Sequence, residues 1–147
     1  MTETASERIR VDAAADRCFD VAIDFESYPE WARDVREAKV LETDAEGRGT
    51  KVEYRAAALG RSVRYVLAYD YAEAPNAFSW ELVEGDMLRR LDGTYRFEPE
   101  GPSSTRVHYD LAVDLSMPLP GLLKRRAAGL IMGSALKELK KQVEAVA

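Results

Sequence analysis

Tyrosine is the residue type through which this chain could carry out acid–base chemistry. Tyr65 and Tyr95 could donate a proton to a bound carbonyl, but a phenol with its usual pKa near 10 is a poor base. His108 is the one histidine, and its place in an alternating strand directs it outward, beside Arg106 and Asp110. No carboxylate is predicted to face inward beside either tyrosine. The sequence therefore offers Tyr65 and Tyr95 as weak catalytic candidates.

Metal and nucleophilic chemistry have less support. With one histidine and one cysteine, the chain has no spaced ligand cluster, and no serine or cysteine has a plausible histidine partner. We therefore expect no metal and no cofactor. A single cysteine also excludes an intramolecular disulfide, so Cys18 is expected to be a core residue and the protein to be cytoplasmic.

The composition is that of one globular domain. Of the 147 residues, 46% are apolar and 32% are charged, and the net charge of −5 argues against nucleic acid as a partner. No apolar run approaches the roughly 18 residues that span a bilayer. We expect a single ligand-binding domain over residues 1–147.

Local patterns predict the elements that must position the tyrosines. A short strand over 7–11 precedes a helix that Asp12 could cap, and Pro29 suits the first turn of a second short helix carrying Trp31. From about residue 35 apolar and polar residues alternate, as in strands with one dry face. The clearest strands are 51–58, 61–71, 78–83, 90–97 and 106–115. Their short connections make neighbours antiparallel.

The last thirty or so residues predict one long amphipathic helix. Apolar residues recur there at spacings of three and four, at Ala128, Ile131, Met132, Ala135, Leu139, Val143 and Val146. Six antiparallel strands span roughly 29 Å, whereas one helix is about 10 to 12 Å wide. A flat sheet would leave apolar surface wet, so we expect a curved sheet wrapped around this helix.

Two features predict that the enclosed space is incompletely filled. Small residues face it, among them Gly93 on a strand and Gly129 and Gly133 on the helix. Six of the seven tyrosines share the inward parity (54, 65, 69, 71, 95 and 109). Buried phenols need hydrogen-bond partners, so some should meet ligand or water, unless they lie at strand ends and reach solvent.

The predicted ligand-binding residues come from this inward set, the short helix and the closing helix. They are Trp31, Tyr54, Tyr65, Tyr69, Trp80, Tyr95, Tyr109, Leu123, Ile131 and Met132. Trp31 or Phe25 would close the mouth of the cavity. The alternative is that Trp31 simply completes the core.

The order of elements resembles the helix-grip fold of the START and birch-pollen-allergen (SRPBCC) superfamily. The resemblance rests on "DAAADRCFDVAIDFESYPEW", "VLETDAEGRGTKV", "LDGTYRFEPEGPSSTRVHYDL" and "MPLPGLLKRRAAGLIMGSALKELKKQVE". Within the superfamily the chain is similar to the bacterial polyketide cyclase/dehydrase or coenzyme-Q-binding-like branch. The resemblance implies an α+β fold with six to seven strands, two short helices after the first strand and a long C-terminal helix.

Three functions are consistent with this resemblance, whose members include lipid carriers, hormone receptors, ring-forming enzymes and proteins acting on ribosomes. The first is binding or transport of a small hydrophobic ligand such as a lipid, isoprenoid or polyketide. The second is a polyketide cyclase/dehydratase. The third, a ribosome- or protein-interaction module, is disfavoured by the net negative charge. Lys124, Arg125 and Arg126 could make transient contact with an anionic membrane, and the oligomeric state stays open.

Overall fold

The computed structural model describes residues 3–58, 61–116 and 135–145. A 3₁₀ turn over Phe25–Ser27 lies between the first two helices. The strands and helices are β1 (Glu3–Val11), α1 (Ala15–Ala22), α2 (Tyr28–Trp31), β2 (Val35–Thr43), β3 (Gly49–Ala58), β4 (Arg61–Asp70), β5 (Ala77–Gly85), β6 (Leu88–Gly101), β7 (Ser104–Leu115) and the helical residues 135–145, α3.

Within the described residues, the strands form one seven-stranded antiparallel sheet. Its order is β1-β7-β6-β5-β4-β3-β2, so each strand from β2 to β7 pairs with its neighbour in sequence and β1 closes against β7. The sheet curves around α3, and the two short helices follow β1. The predicted α+β helix-grip fold is therefore confirmed, with each predicted strand in place.

The segment between β1 and α1 differs from the sequence-based prediction. The N-cap of α1 is Ala14, with no side-chain capping bond, so the expectation that Asp12 caps this helix is wrong. Instead the backbone N–H of Asp12 donates to Glu144 Oε2 at 2.8 Å. Lys140 Nζ donates to the carbonyl of Arg10 at 3.0 Å. These two hydrogen bonds hold α3 against the end of β1.

The described part of α3 has the predicted amphipathic pattern. Leu136, Leu139 and Val143, at spacings of three and four, are buried in the core. The predicted apolar positions Ala128, Ile131, Met132 and Val146 lie outside the described residues. No helix among the described segments is long and apolar enough to cross a membrane.

The core beneath α1 is aromatic. Phe19 makes edge-to-face contacts with Phe78 and Phe97, each with ring centroids 6.0 Å apart. Cys18 is fully buried, as expected for a core thiol. Thr105, also fully buried, donates its hydroxyl to the Ala13 carbonyl at 2.8 Å and so ties β7 to the start of α1.

Candidate functional site

A cavity of about 210 Å³ lies between the concave face of the sheet, α2 and α3. Its wall combines large aromatic side chains with aliphatic residues, most of which come from β3, β4, β6 and β7. The aromatic residues that line it are Tyr28, Trp31, Tyr54, Tyr65, Tyr69, Phe78, Trp80, Tyr95 and Tyr109. The predicted void is therefore present.

Seven of the ten predicted ligand-binding residues line this one cavity: Trp31, Tyr54, Tyr65, Tyr69, Trp80, Tyr95 and Tyr109. The other three, Leu123, Ile131 and Met132, lie outside the described residues, as do Lys124, Arg125 and Arg126. The period-two alternation was sufficient to place the tyrosines, because inward parity in a strand is a local property.

Phe25 is not at the mouth. It is 1% exposed and stacks on Tyr69 with ring centroids 4.3 Å apart, at the closed end of the sheet. Tyr71 is at the same end, where its hydroxyl donates to the Gly49 carbonyl at 2.5 Å. Of the two aromatic residues predicted to close the cavity, Trp31 therefore lines it, whereas Phe25 completes the core.

The mouth lies at the opposite end. There the backbone N–H of Ala57 donates to the carbonyl of Asp34 at 2.8 Å. The backbone N–H of Asp86 likewise donates to the carbonyl of Arg64 at 2.8 Å. These bonds bring the start of β2 and the β5–β6 turn to the same end of the sheet. Among the described residues of the lining, Asp34 and Asp86 are the solvent-exposed ones, so they mark its opening.

Two tyrosine hydroxyls in the wall are engaged with each other. Tyr54 and Tyr69 hydroxyl oxygens are 2.6 Å apart, one donating to the other across adjacent strands β3 and β4. The hydroxyl of Tyr28 donates to the Ala22 carbonyl and holds α2 against α1. The hydroxyls of Tyr28, Tyr54 and Tyr69 therefore form hydrogen bonds within the protein and stabilise the wall.

The other three phenols have no hydrogen-bond partner among the residues the structure describes. They are Tyr65, Tyr95 and Tyr109, and the last two are only 6% and 7% exposed. Burial, with the nearby Asp34 carboxylate, raises the pKa of Tyr65 to about 12. Burial likewise raises the pKa of Tyr95 and of Tyr109. All three stay protonated near neutral pH and can donate hydrogen bonds, but they are poor bases.

The sequence-based interpretation missed the acidic residues of the lining. Asp34, Asp86 and Glu138 line the cavity, although no inward carboxylate was expected beside Tyr65 or Tyr95. The carboxylate of Glu138 accepts a bond from the backbone N–H of Arg33 at 2.8 Å, which fixes α3 beside the α2–β2 connection. Two of these carboxylates lie in loops or turns, where no periodicity predicts their direction.

The small residue on β6 has a different role from the one predicted. A Cβ at Gly93 would lie 2.3 Å from Trp80 Cζ2. Trp80 is the cross-strand partner of Gly93, so the indole lies across the position that a side chain would take. Gly93 therefore provides space for Trp80 rather than for a ligand, whereas Ala56 on β3 does line the cavity.

The remaining candidates lie away from the cavity. His108 is not among its lining residues, and His108 Nε2 lies 3.5 Å from Glu98 Oε1. Over the described ranges, no group of three or more histidine, cysteine, aspartate or glutamate residues could hold a metal ion.

Comparison with solved structures shows similarity over nearly the full length. A START superfamily protein from Mycobacterium smegmatis is 27% identical, with a TM-score of 0.91 over 98% of this chain and 99% of that one. A protein from Thermus thermophilus is 25% identical, with a TM-score of 0.82 over 99% of each chain. The Zhui aromatase/cyclase from Streptomyces shares the fold, with a TM-score of 0.85, 13% identity, and coverage of 98% and 94%.

No curated protein matches the chain in sequence. A family model described as "Polyketide cyclase / dehydrase and lipid transport" matches residues 2–144. The matched region includes every strand and the helices that enclose the aromatic cavity, and the fold is one that binds hydrophobic ligands. The chain belongs to this polyketide cyclase/dehydrase and lipid transport family.

Proposed function

We propose that this chain binds a compact hydrophobic molecule in the aromatic cavity and acts as a cytoplasmic carrier or sensor. The proposal takes residues 1–147 as one ligand-binding domain. The cavity carries the proposal, because interiors of proteins are ordinarily packed without voids much larger than a water molecule. A single buried, free cysteine agrees with a reducing compartment.

The size of the cavity favours a ligand of one or two rings. An engineered apolar cavity of about 150 Å³ is known to bind benzene, and the present cavity is about 210 Å³. A long acyl chain would need more room. Flat rings would also pack well against the wall, where Tyr54 and Tyr65 are stacked with centroids 5.3 Å apart.

Polar groups suited to orienting such a ligand are present but few. Tyr95 and Tyr109 lie side by side, with ring centroids 4.7 Å apart and hydroxyls free of partners among the described residues. A ligand oxygen or nitrogen could form a hydrogen bond with each hydroxyl, either by accepting from its O–H or by donating to its oxygen. This combination of an apolar wall with a small number of polar groups is typical of small-molecule sites.

Trp31 is placed to control entry. Its ring contacts Tyr28 with centroids 4.9 Å apart, and α2, which carries both residues, spans only four residues. So short a helix is stabilised mainly by its contacts. We therefore assign Trp31 to the ligand-exchange route.

Native mass spectrometry of protein purified gently from its own host tests the proposal. We expect a stoichiometric adduct whose mass fits a compact apolar compound. Protein that is consistently free of any adduct would count against a carrier.

A binding experiment with a defined neutral probe, naphthylethanol, tests the same proposal without the natural ligand. We expect Ala56→Phe, which fills the cavity from β3, to abolish binding of the probe. Ala68→Phe is the matched control, because Ala68 lies on β4 outside the cavity lining. Equal binding by the wild-type protein and Ala56→Phe would show that the probe does not occupy this cavity.

A second candidate function is cyclisation or dehydration of a polyketide, and the unpartnered phenols favour it. Tyr65 or Tyr95 could donate to a carbonyl oxygen in the transition state, with a carboxylate of the lining as the base. Turnover of a poly-β-ketone analogue that falls in Tyr65→Phe or Tyr95→Phe would support an enzyme. Unchanged turnover in both variants would remove these roles.

A further inference from the structure

The charge at the mouth of the cavity narrows the class of ligand. Asp34, Asp86 and Glu138 all contribute to the lining, and no lysine, arginine or histidine does so among the described residues. The guanidinium of Arg64 forms ion pairs with two other carboxylates, those of Glu53 at 2.6 Å and Glu84 at 3.1 Å. In the part of the mouth that the structure describes, the charged side chains of the lining are therefore all acidic.

A second, independent feature points to a ligand at the same place. The side chains of Tyr95 and Tyr109 are more than nine-tenths buried and line the cavity, and their hydroxyls have no partner among the described residues. Glu138 is close enough to Tyr95 for its charge to raise the pKa of that phenol further, after the larger effect of burial. The unsatisfied phenols and the acidic helix residue thus belong to one site.

The chemistry of this combination suits a cation. An aromatic face attracts a positive charge, and a phenol oxygen accepts a hydrogen bond from an ammonium group. Carboxylates nearby add Coulomb attraction that is stronger in a partly desolvated site than in water. A ligand carboxylate would instead meet like charges, and the described lining offers it no basic partner.

We propose that the preferred ligand is a compact hydrophobic amine, bound as its ammonium ion between the buried tyrosines and the carboxylates of Asp34 and Glu138. This inference rests on the proposed ligand-binding function and adds the charge of the ligand. It predicts discrimination against the corresponding carboxylic acids.

Titration calorimetry with three probes of the same skeleton tests the inference: naphthylethylamine, naphthylethanol and naphthylacetate. We expect the amine to bind about tenfold more tightly than the alcohol, and the carboxylate to bind more weakly than the alcohol. Added salt should reduce the preference for the amine, because screening weakens the attraction at an open mouth.

Substitution of the carboxylates tests which residues cause the preference for the amine over the alcohol. Glu138→Gln and Asp34→Asn should each reduce the ratio of amine to alcohol affinity, and the double variant should bring it close to one. Glu42→Gln is the control. Glu42, on β2, forms an ion pair with Lys51 of β3 at 3.0 Å and does not line the cavity. It should retain the full preference.

The outcomes separate this inference from the proposed function. If the alcohol binds and the amine binds no more tightly, the charge preference is refuted and ligand binding stands. If the double variant keeps the full preference, the assignment to Asp34 and Glu138 is wrong. If none of the three probes binds, both the inference and its parent proposal are contradicted. The comparison in the wild-type protein needs no variant, so it stands even where a variant fails to fold.

Discussion

At the scale of single residues, the six inward tyrosines serve two different purposes. Tyr54 and Tyr69 satisfy each other's hydroxyls inside the wall, and Tyr71 satisfies its own on a backbone carbonyl. Tyr65, Tyr95 and Tyr109 keep their hydroxyls unpartnered among the described residues. Because these three side chains line the cavity and their hydroxyls are not used by the described part of the protein, the second set is the one we assign to ligand.

Substitution by phenylalanine should separate these two sets. Tyr69→Phe leaves the buried hydroxyl of Tyr54 without a partner, so we expect the free energy of unfolding to fall by about 1 to 2 kcal/mol. Tyr95→Phe removes a hydroxyl that has no partner, so its stability should stay within about 0.5 kcal/mol of wild type while affinity for the naphthylethanol probe falls. Urea denaturation and titration calorimetry measure both quantities. Equal losses of stability in the two variants would contradict this division.

At the scale of elements, the sheet is incompletely paired between β5 and β6. Their ladder covers only Ala77–Trp80 against Gly93–Arg96. Beyond it, the backbone N–H of Leu82 donates to Asp92 Oδ1 at 3.1 Å, and Arg90 Nε donates to Asp92 Oδ2 at 2.7 Å. A side chain thus replaces a ladder bond on the way to the mouth of the cavity.

Removing the Asp92 carboxylate should weaken the contact between β5 and β6 beyond their ladder. We expect Asp92→Ala to lose about 1 to 2 kcal/mol of stability, because the amide of Leu82 loses its acceptor. Hydrogen exchange of that amide should become faster. Asp92→Asn is the matched control, since it keeps the acceptor oxygen and loses only the exposed ion pair, which is worth about 0 to 1 kcal/mol. Identical behaviour of the two variants would show that the Leu82 bond contributes nothing measurable.

At the scale of the whole molecule, the buried tyrosines make the free energy of unfolding depend on pH in the alkaline range. Burial raises the pKa of seven tyrosines above its ordinary value of 10.0: Tyr28, Tyr54, Tyr65, Tyr69, Tyr71, Tyr95 and Tyr109. In the unfolded chain these phenols ionise near pH 10. Above that pH the folded state therefore holds protons that the unfolded state has released.

The sign of the effect follows from this difference in bound protons. The tyrosine contribution is fully present below pH 10 and is lost as the pH rises toward the folded pKa values, such as about 12 for Tyr65. Each such tyrosine adds a slope of about 1.4 kcal/mol per pH unit. Urea denaturation across this range should show a steep loss, with tyrosinate absorbance appearing only on unfolding.

A control separates the thiol from the phenols. Burial also raises the pKa of Cys18 from 9.0, so Cys18→Ala should remove any loss that begins near pH 9 and leave the steeper loss above pH 10. Tyrosinate absorbance that titrates near pH 10 in the folded protein would show that the wall is open to solvent.

Much of the architecture was determined by the sequence alone. Alternation with a period of two places a residue on one face of a strand without reference to any other strand, so the inward tyrosines and Trp80 were predictable. The short connections required antiparallel neighbours, and the mismatch in width between the sheet and one helix required curvature. These are local rules applied along the chain, and the structure agrees with them.

The tertiary structure alone decided how the site is assembled. The pairing of Tyr54 with Tyr69, and the indole of Trp80 lying across Gly93, depend on the register between strands. The approach of Asp34 and Glu138 to one cavity depends on a loop and a helix that are distant in the chain. No local period encodes such contacts, because register and docking are determined by packing of the whole core rather than by the residues on either side of a position.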